Sequence, residues 1–267
     1  MALRNLGVAQ MRAALRLSRP QRRLLSNSAG RSARSTSQTT VAAIGSVSRG
    51  LSNVSGTTTP DVTTKFGDPS FWEGEYSSQY ASQEELQPFE WFLPYEGGLR
   101  QHLLPFLESV PNCNRLLHVG CGTSEVGPRL ASEPDLDLHV TDTDSSPSAV
   151  RLMQRRHTDL ENYVCHETNV LNLPFPDGSY DAVVDKGTLD ALLCRSAEDA
   201  TGMAAEVHRV LCKGGVFLQI TTEDPEARLD LLKSAANQQQ HEPWSRTLFK
   251  EIGEGANSTY FMYVLVK

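Results

Sequence analysis

Acidic side chains and lysine are absent from the first 50 residues, which carry nine arginines. The remaining chain therefore sets 16 basic against 32 acidic side chains, a net charge of -16. An acidic body repels phosphate, which argues against a nucleic-acid partner for the whole chain. Long apolar runs are lacking too. No stretch approaches the ~18–20 uninterrupted apolar residues of a membrane span, so no membrane partner is expected. Cysteine is sparse: Cys113, Cys121, Cys165, Cys194 and Cys212 are odd in number, widely spaced and contain no CxxC pair. That argues against a disulfide framework and against a zinc cluster. The histidines show no HExxH spacing, and no metal is expected. The thiols are expected to be reduced and mostly buried, in an intracellular compartment. There is no internal repeat.

What residues 1–64 do contain resembles an address rather than a fold. Wound as a helix, Leu6, Ala9, Ala13 and Leu17 share one side, and Arg12, Arg16 and Arg19 share the next. An acid-free, Arg- and Ser-rich segment of this partial amphipathicity reads as a mitochondrial transit peptide. The alternative is a disordered basic tail that binds an anionic partner. Residues 26–64 are rich in Ser, Thr and Gly and are expected to be a linker or to be cleaved.

From Lys65 to Lys267 the composition is that of one folded domain. Aromatic residues cluster first, at Phe71, Trp72, Tyr76 and Tyr80 and again at Phe89, Trp91, Phe92 and Tyr95. A helix is expected over Leu99–Leu107. Apolar runs then predict strands at Arg115–Val119, Leu136–Thr141, Tyr163–Glu167, Tyr180–Val184 and Val216–Thr221. Helices are expected at Pro147–Arg156, Ala197–Leu211 and Ala227–Ala236, and closing strands at Trp244–Ile252 and Thr259–Val266. Strands alternating with helices imply an α/β fold with a mostly parallel sheet. The short link Gly253–Ser258 favours an antiparallel C-terminal strand.

The densest signal is Leu116-Leu117-His118-Val119-Gly120-Cys121-Gly122-Thr123. A strand running into Gly-x-Gly makes a tight turn that lets backbone approach a ligand closely. Asp142, twenty residues beyond Gly122, falls at the end of the next expected strand, where an acid can accept hydrogen bonds from ribose hydroxyls. That pair fits either a dinucleotide or an adenosyl cofactor. A pyrophosphate site wants a third glycine at the helix start. Glu125 stands there instead and would oppose a pyrophosphate, which favours S-adenosylmethionine over NAD.

Further motifs narrow the reading. Gly120-Cys121-Gly122-Thr123-Ser124, the Asp142 strand end, Leu173-Pro174-Phe175-Pro176-Asp177-Gly178-Ser179-Tyr180-Asp181 and Leu211-Cys212-Lys213-Gly214-Gly215 together resemble a seven-strand, Rossmann-like S-adenosylmethionine-dependent methyltransferase. Within that group, Phe71-Trp72, Phe89-Glu90-Trp91-Phe92 and Asp185-Lys186-Gly187-Thr188-Leu189-Asp190-Ala191 resemble the protein-lysine methyltransferases that act on elongation factor 1 alpha and on citrate synthase. The segment Glu223-Asp224-Pro225-Glu226-Ala227-Arg228-Leu229 looks most like the members acting on citrate synthase. Those are mitochondrial, which implies a matrix location and citrate synthase as the protein partner.

The resemblance implies a site. Trp72, Tyr76 and Phe89 would lie over the cofactor. Gly120 and Gly122 would pack against its amino-acid part, and Asp142, with Thr143 beside it, would hold the ribose. Asn169 and Val170 would contact the adenine, and Asp185 would lie near the reacting methyl. Two positions depart from the family pattern: His118 replaces an acid two residues before the first glycine, and Asn169 replaces Asp.

Methyl transfer to an amine is a displacement at carbon in which sulfur leaves as a neutral thioether. The nucleophile is the difficulty, because a free lysine has a pKa of ~10.4. A carboxylate can orient the amine or relay its proton; Asp185 is the first candidate catalytic residue and Asp190 the second. Lys186 is expected to point away from the sulfonium, which a neighbouring cation would oppose, and to pair with an acid; Cys121 is expected to be a small residue in a tight loop. Alternatives are a methyltransferase acting on elongation factor 1 alpha or another protein, a non-catalytic S-adenosylmethionine-binding scaffold, and an NAD enzyme.

Overall fold

A computed structural model describes residues 64–81, 88–238, 243–255 and 258–267. All of the expected address segment except Thr64 lies outside them. Seven strands form one sheet in the order β3-β2-β1-β4-β5-β7-β6. They are β1 (Arg115–Val119), β2 (His139–Asp144), β3 (Tyr163–Glu167), β4 (Tyr180–Lys186), β5 (Leu211–Thr221), β6 (Arg246–Gly255) and β7 (Ser258–Val266). Strands β1 to β5 pair in parallel, and β7 runs antiparallel to both β5 and β6. The expected architecture is therefore the one observed.

Side chains alternate between the faces of a strand, so one sheet separates two cores. Leu116, Val140, Ala182, Val184 and Leu218 face α2 (Arg100–Ser109), α3 (Val126–Ala131) and α4 (Pro147–Arg156) through Leu103, Leu107, Leu130 and Met153. Leu117, Val183, Phe217 and Leu265 face α6 (Ala197–Val210) through Met203, Ala204 and Val207, and α7 (Pro225–Gln238) through Leu232. Strand β4 is buried along its whole length, as a parallel strand covered on both faces must be. Helix α4 starts where Pro147 follows Ser146, whose hydroxyl accepts the Ala149 N–H. Two further helices flank the site: α1 (Pro69–Ala81) before the sheet and the short α5 (Thr188–Leu193) after β4.

Several boundaries differ from expectation; those of β2, β5 and the β6–β7 pair have a plain physical reason. Strand β2 begins and ends three residues later than predicted, because Leu136 is held in a turn by its N–H to Glu133 O and the ladder opens at His139. Two carboxylates inside that strand, Asp142 and Asp144, made its end look like loop. Strand β5 starts early: Leu211 pairs with Tyr180 and Val216 with Ala182, so residues 212–215 bulge, with Gly214 at φ 81°. Strands β6 and β7 extend into the expected Gly/Asn-rich link, pairing as far as Gly255 and Ser258.

The chain leaves β1 for β2 on one side, while β4 pairs on the other. Such a reversal opens a crevice at the C-terminal strand ends, where ligands bind in open α/β sheets.

Candidate active site

A cavity of about 360 Å³ occupies that crevice, walled by the ends of β1, β2 and β4 and by residues before the sheet. The glycine turn forms its floor. Gly120 and Gly122 have φ of 59° and 53°, in the left-handed region. A Cβ on Gly120 would lie 2.0 Å from Thr188 Oγ1, and one on Gly122 would lie 2.3 Å from the Tyr76 hydroxyl. Thr188 Oγ1 is within hydrogen-bond distance of Val119 O (3.1 Å) and Gly120 O (3.2 Å), and Cys121 N–H donates to Thr143 O (2.9 Å). The turn is thus stitched to the ends of both β2 and α5.

The acid at the ribose position requires a correction. Asp142 is fully buried and does not line the cavity. Its Oδ1 lies 3.2 Å from His118 Nδ1, and its Oδ2 accepts the Tyr163 hydroxyl at 2.9 Å. The acid on the cavity wall is Asp144, two residues on and on the same strand face. Its Oδ2 accepts the Gly122 N–H and its Oδ1 the Ser146 N–H, both at 2.8 Å. Burial raises the Asp144 pKa, against those two N–H donors. The sequence-based choice missed by one strand period because β2 runs further than its apolar run.

Thr143, Asn169 and Val170 line the cavity. Asn169 Oδ1 accepts the Leu171 N–H at 3.0 Å, so that carbonyl already serves its own loop. Next to it, Thr168 lines the cavity with its buried hydroxyl unpartnered among the described residues.

The opposite wall is aromatic. Trp72, Tyr76 and Phe89 line it, joined by Phe66 and Trp91. Trp72 and Tyr76 stack with ring centres 6.2 Å apart, and the Trp72 indole N–H donates to Phe66 O at 2.8 Å. Phe92 turns away from the cavity, at φ 60°, to pack on Tyr260. Helix α1, which carries Trp72 and Tyr76, is tied down by Glu73, whose carboxylate accepts from Ser146 Oγ (2.5 Å) and Ser148 Oγ (2.7 Å).

Asp185 and Asp190 sit behind the cavity wall rather than on it. Asp185 Oδ1 accepts the Thr188 N–H at 2.9 Å and so caps α5, while its Oδ2 has no partner among the described residues. Burial, reinforced by Asp190, pushes its carboxyl up to about 6. Asp190 neither faces solvent nor reaches the cavity. It accepts from Thr221 Oγ1 at 2.9 Å and is paired with Arg228, both partners being fully buried. Its expected place at the reacting atoms is thereby corrected: the helical turn from Thr188 to Ala191 points those two residues at the cavity and Asp190 at β5.

Lys186 pairs with an acid as expected, Glu90, at 2.6 Å, but it lines the cavity instead of pointing away from it. Cys121 lies with its sulfur 3.9 Å from that of Cys165, and this contact together with burial raises its thiol pKa well above the usual range. Glu125, at the third-glycine position, lies 3.4 Å from His157 Nε2. Sequence reasoning missed Asp144, Glu90, Thr168, Thr188 and Arg195. Asp144 could have been found as the last acid before the Ser-Pro helix start, and Glu90 as a lone carboxylate among aromatic residues.

A family described as a methyltransferase domain matches residues 117–219. The mitochondrial citrate synthase-lysine N-methyltransferase of Danio rerio is 31% identical over 221 residues, covering 76% of this chain and 85% of that protein. EEF1A lysine methyltransferase 4 of Mus musculus is 30% identical over 182 residues, covering 64% and 67% respectively. Among solved structures, the [4+2]-cyclase SpnF superposes with a TM-score of 0.52 at 16% identity, over 77% of this chain and 96% of that one, a likeness of fold alone.

The cofactor is S-adenosylmethionine, and the residues present suit it. The glycine turn has no room for a Cβ, a carboxylate ends β2, a buried hydroxyl waits at Thr168, and ring faces favour a cation. Sheet, glycine turn and relatives agree: the chain belongs to the seven-strand S-adenosylmethionine-dependent protein-lysine methyltransferases.

Proposed function

We propose that this enzyme methylates a lysine of citrate synthase in the mitochondrial matrix. The observation that carries the substrate is the extent of similarity to the Danio rerio enzyme, which covers 85% of that protein. The N-terminal segment, without acidic residues over its first 50 positions and read as a transit peptide and linker over residues 1–64 ahead of a methyltransferase domain over 65–267, supports the location. Elongation factor 1 alpha is the second reading, favoured by relatives of nearly equal identity.

The cofactor, when bound, supplies a methyl group on a positively charged sulfur. Backbone at Gly120 and Gly122 would receive its amino-acid part, and Asp144, beside Thr143, its ribose hydroxyls. Thr168, Asn169 and Val170 would enclose the adenine, and Trp72, Tyr76 and Phe89 would exclude water over the reacting centre. A new N–C bond forms as the C–S bond breaks, and the lysine must arrive without its proton. Asp185, buried behind the cavity wall, would act by positioning rather than by touching the acceptor amine: its Oδ1 accepts the Thr188 N–H and so fixes the start of α5, whose Thr188 lines the cavity. With its carboxyl pushed up to about 6, it is ionised above neutrality and holds that backbone N–H as a carboxylate. Asp190 is a positioning residue behind it, acting through Asp185 and Arg228.

The test is transfer of labelled methyl to purified citrate synthase and elongation factor 1 alpha, offered side by side, with Asp144→Ala as control. Label on citrate synthase alone, lost in the variant, supports the reading. Label on elongation factor 1 alpha alone replaces the substrate and the location together.

A further inference from the structure

Lys186 raises an electrostatic problem. It lines the cavity, its side chain is only 2% exposed, and the cofactor brings a second fixed positive charge into the same chamber. Two cations in a poorly solvated site repel strongly unless one is compensated. Glu90 supplies the compensation. Its Oε2 accepts from Lys186 Nζ at 2.6 Å and from Ser124 Oγ at 2.8 Å, and its Oε1 accepts the Glu125 N–H at 2.7 Å. Lys186 Nζ also donates to Trp91 O at 3.1 Å. One carboxylate thus joins the aromatic segment, the loop after the glycine turn and the end of β4. Arg195, which also lines the cavity, is 37% exposed and paired with Asp199, so it sits in a better-screened place.

We propose that Glu90 is the counter-ion that lets the cavity hold a sulfonium beside Lys186, and that the Glu90–Lys186 pair sets the preference between the methylated cofactor and its demethylated product. S-adenosylmethionine and S-adenosylhomocysteine differ by one methyl group and by one positive charge at sulfur. Every other contact is common to both. A change in the fixed charge near the sulfur therefore alters the ratio of their affinities. A general loosening of the aromatic segment alters both affinities alike. The inference rests on the cofactor and not on the identity of the acceptor protein.

The test is calorimetric titration of the full chain with each ligand separately. In Glu90→Gln the amide keeps the shape and an acceptor for the Glu125 N–H but leaves the Lys186 charge uncompensated. The ratio of dissociation constants, S-adenosylmethionine over S-adenosylhomocysteine, should rise roughly tenfold. Glu90→Asp should keep the ratio near that of the parent. Lys186→Gln should move it the other way by several-fold, since a carboxylate without its lysine favours the sulfonium, and the double variant should return it towards the starting value. Equal weakening of both ligands in Glu90→Gln would reduce Glu90 to a structural clasp and overturn the proposal. If Glu90→Gln fails to fold, Lys186→Gln decides, an unchanged ratio being the overturning result. Failure of the parent chain to bind either ligand would strike the cofactor site itself, whatever the acceptor.

Discussion

Asp144 Oδ2 accepts the Gly122 N–H at 2.8 Å, so the acid ending β2 and the glycine turn after β1 form one hydrogen-bonded unit. Removing the carboxylate loosens the floor of the cavity and takes away the proposed ribose partner together. Asp144→Ala should weaken S-adenosylmethionine binding by roughly 10–100-fold, the worth of a charged hydrogen bond. Asp142→Ala should act differently. It strands the Tyr163 hydroxyl and His118 in the interior, costing about 1–3 kcal/mol of stability, with a smaller loss of affinity. Calorimetry and thermal denaturation of both variants separate the two roles; equal affinity losses would return Asp142 to the site.

Asp185 links pH to stability with an unusual sign. Its carboxyl rises to about 6 on folding from an ordinary value of 3.8, because burial opposes the charge. The folded state then holds the proton more tightly than the unfolded one. Its contribution is complete below pH ~4 and is lost as pH rises through ~6, reaching a cost of about 2–3 kcal/mol at pH ~8. Asp185→Asn should therefore be more stable than the parent at pH ~8 and equal to it near pH ~4, measured by urea denaturation at each pH. The same variant should lose methyl transfer, and the parent's rate should fall below pH ~6 as Asp185 takes up a proton. A fully active Asp185→Asn would show that its charge is dispensable for positioning the site.

The two turn glycines should fail in different ways. A Cβ at Gly120 meets Thr188 within 2.0–2.7 Å, and Thr188 is pinned at the start of α5. Gly120→Ala should cost at least about 2 kcal/mol of stability, from clash and left-handed strain combined. A Cβ at Gly122 meets the far end of Tyr76 at 2.3 Å. Gly122→Ala should fold with about 1 kcal/mol of strain but displace α1, and lose cofactor affinity. Adding Tyr76→Phe, which takes away the clashing oxygen, should restore part of that affinity; no restoration would mean that backbone strain alone is responsible.

Arg228 pairs with Asp190 beneath β5, both at 0% side-chain exposure, and its Nε and Nη1 are without partners among the described residues. Arg228→Met leaves Asp190 and Asp185 facing each other without a cation and should cost about 3–5 kcal/mol. The double variant Asp190→Asn, Arg228→Met should recover much of that loss. A double-mutant cycle in urea reads the coupling, and additive losses would show that the pair contributes little.

The fold was legible because its signals are local. Strand β1 runs into Gly120, an apolar β4 ends in Asp185-Lys186 ahead of Gly187, and Pro147 starts α4, each by local pattern alone. Periodicity failed where polar residues are buried. The apolar run of β2 ends before its two interior carboxylates, so it points to Asp142, whereas Asp144 is the one on the cavity wall. Asp190 sits in a motif that invites a catalytic reading, yet its partner Arg228 lies 38 residues away and only the β5–α7 packing brings them together. Glu90 and Lys186 are 96 residues apart, a separation over which no local pattern carries information.

Phe66 and Gly67 wall the cofactor chamber, and Trp72 hangs its indole on the Phe66 carbonyl. Any proteolytic maturation of the N-terminus therefore meets a functional limit at this point. A cut before Lys65 spares the chamber; one past Phe66 removes a wall and the acceptor that steadies the lid tryptophan. Ligand retention by a series of N-terminal truncations would consequently map the last permissible processing site.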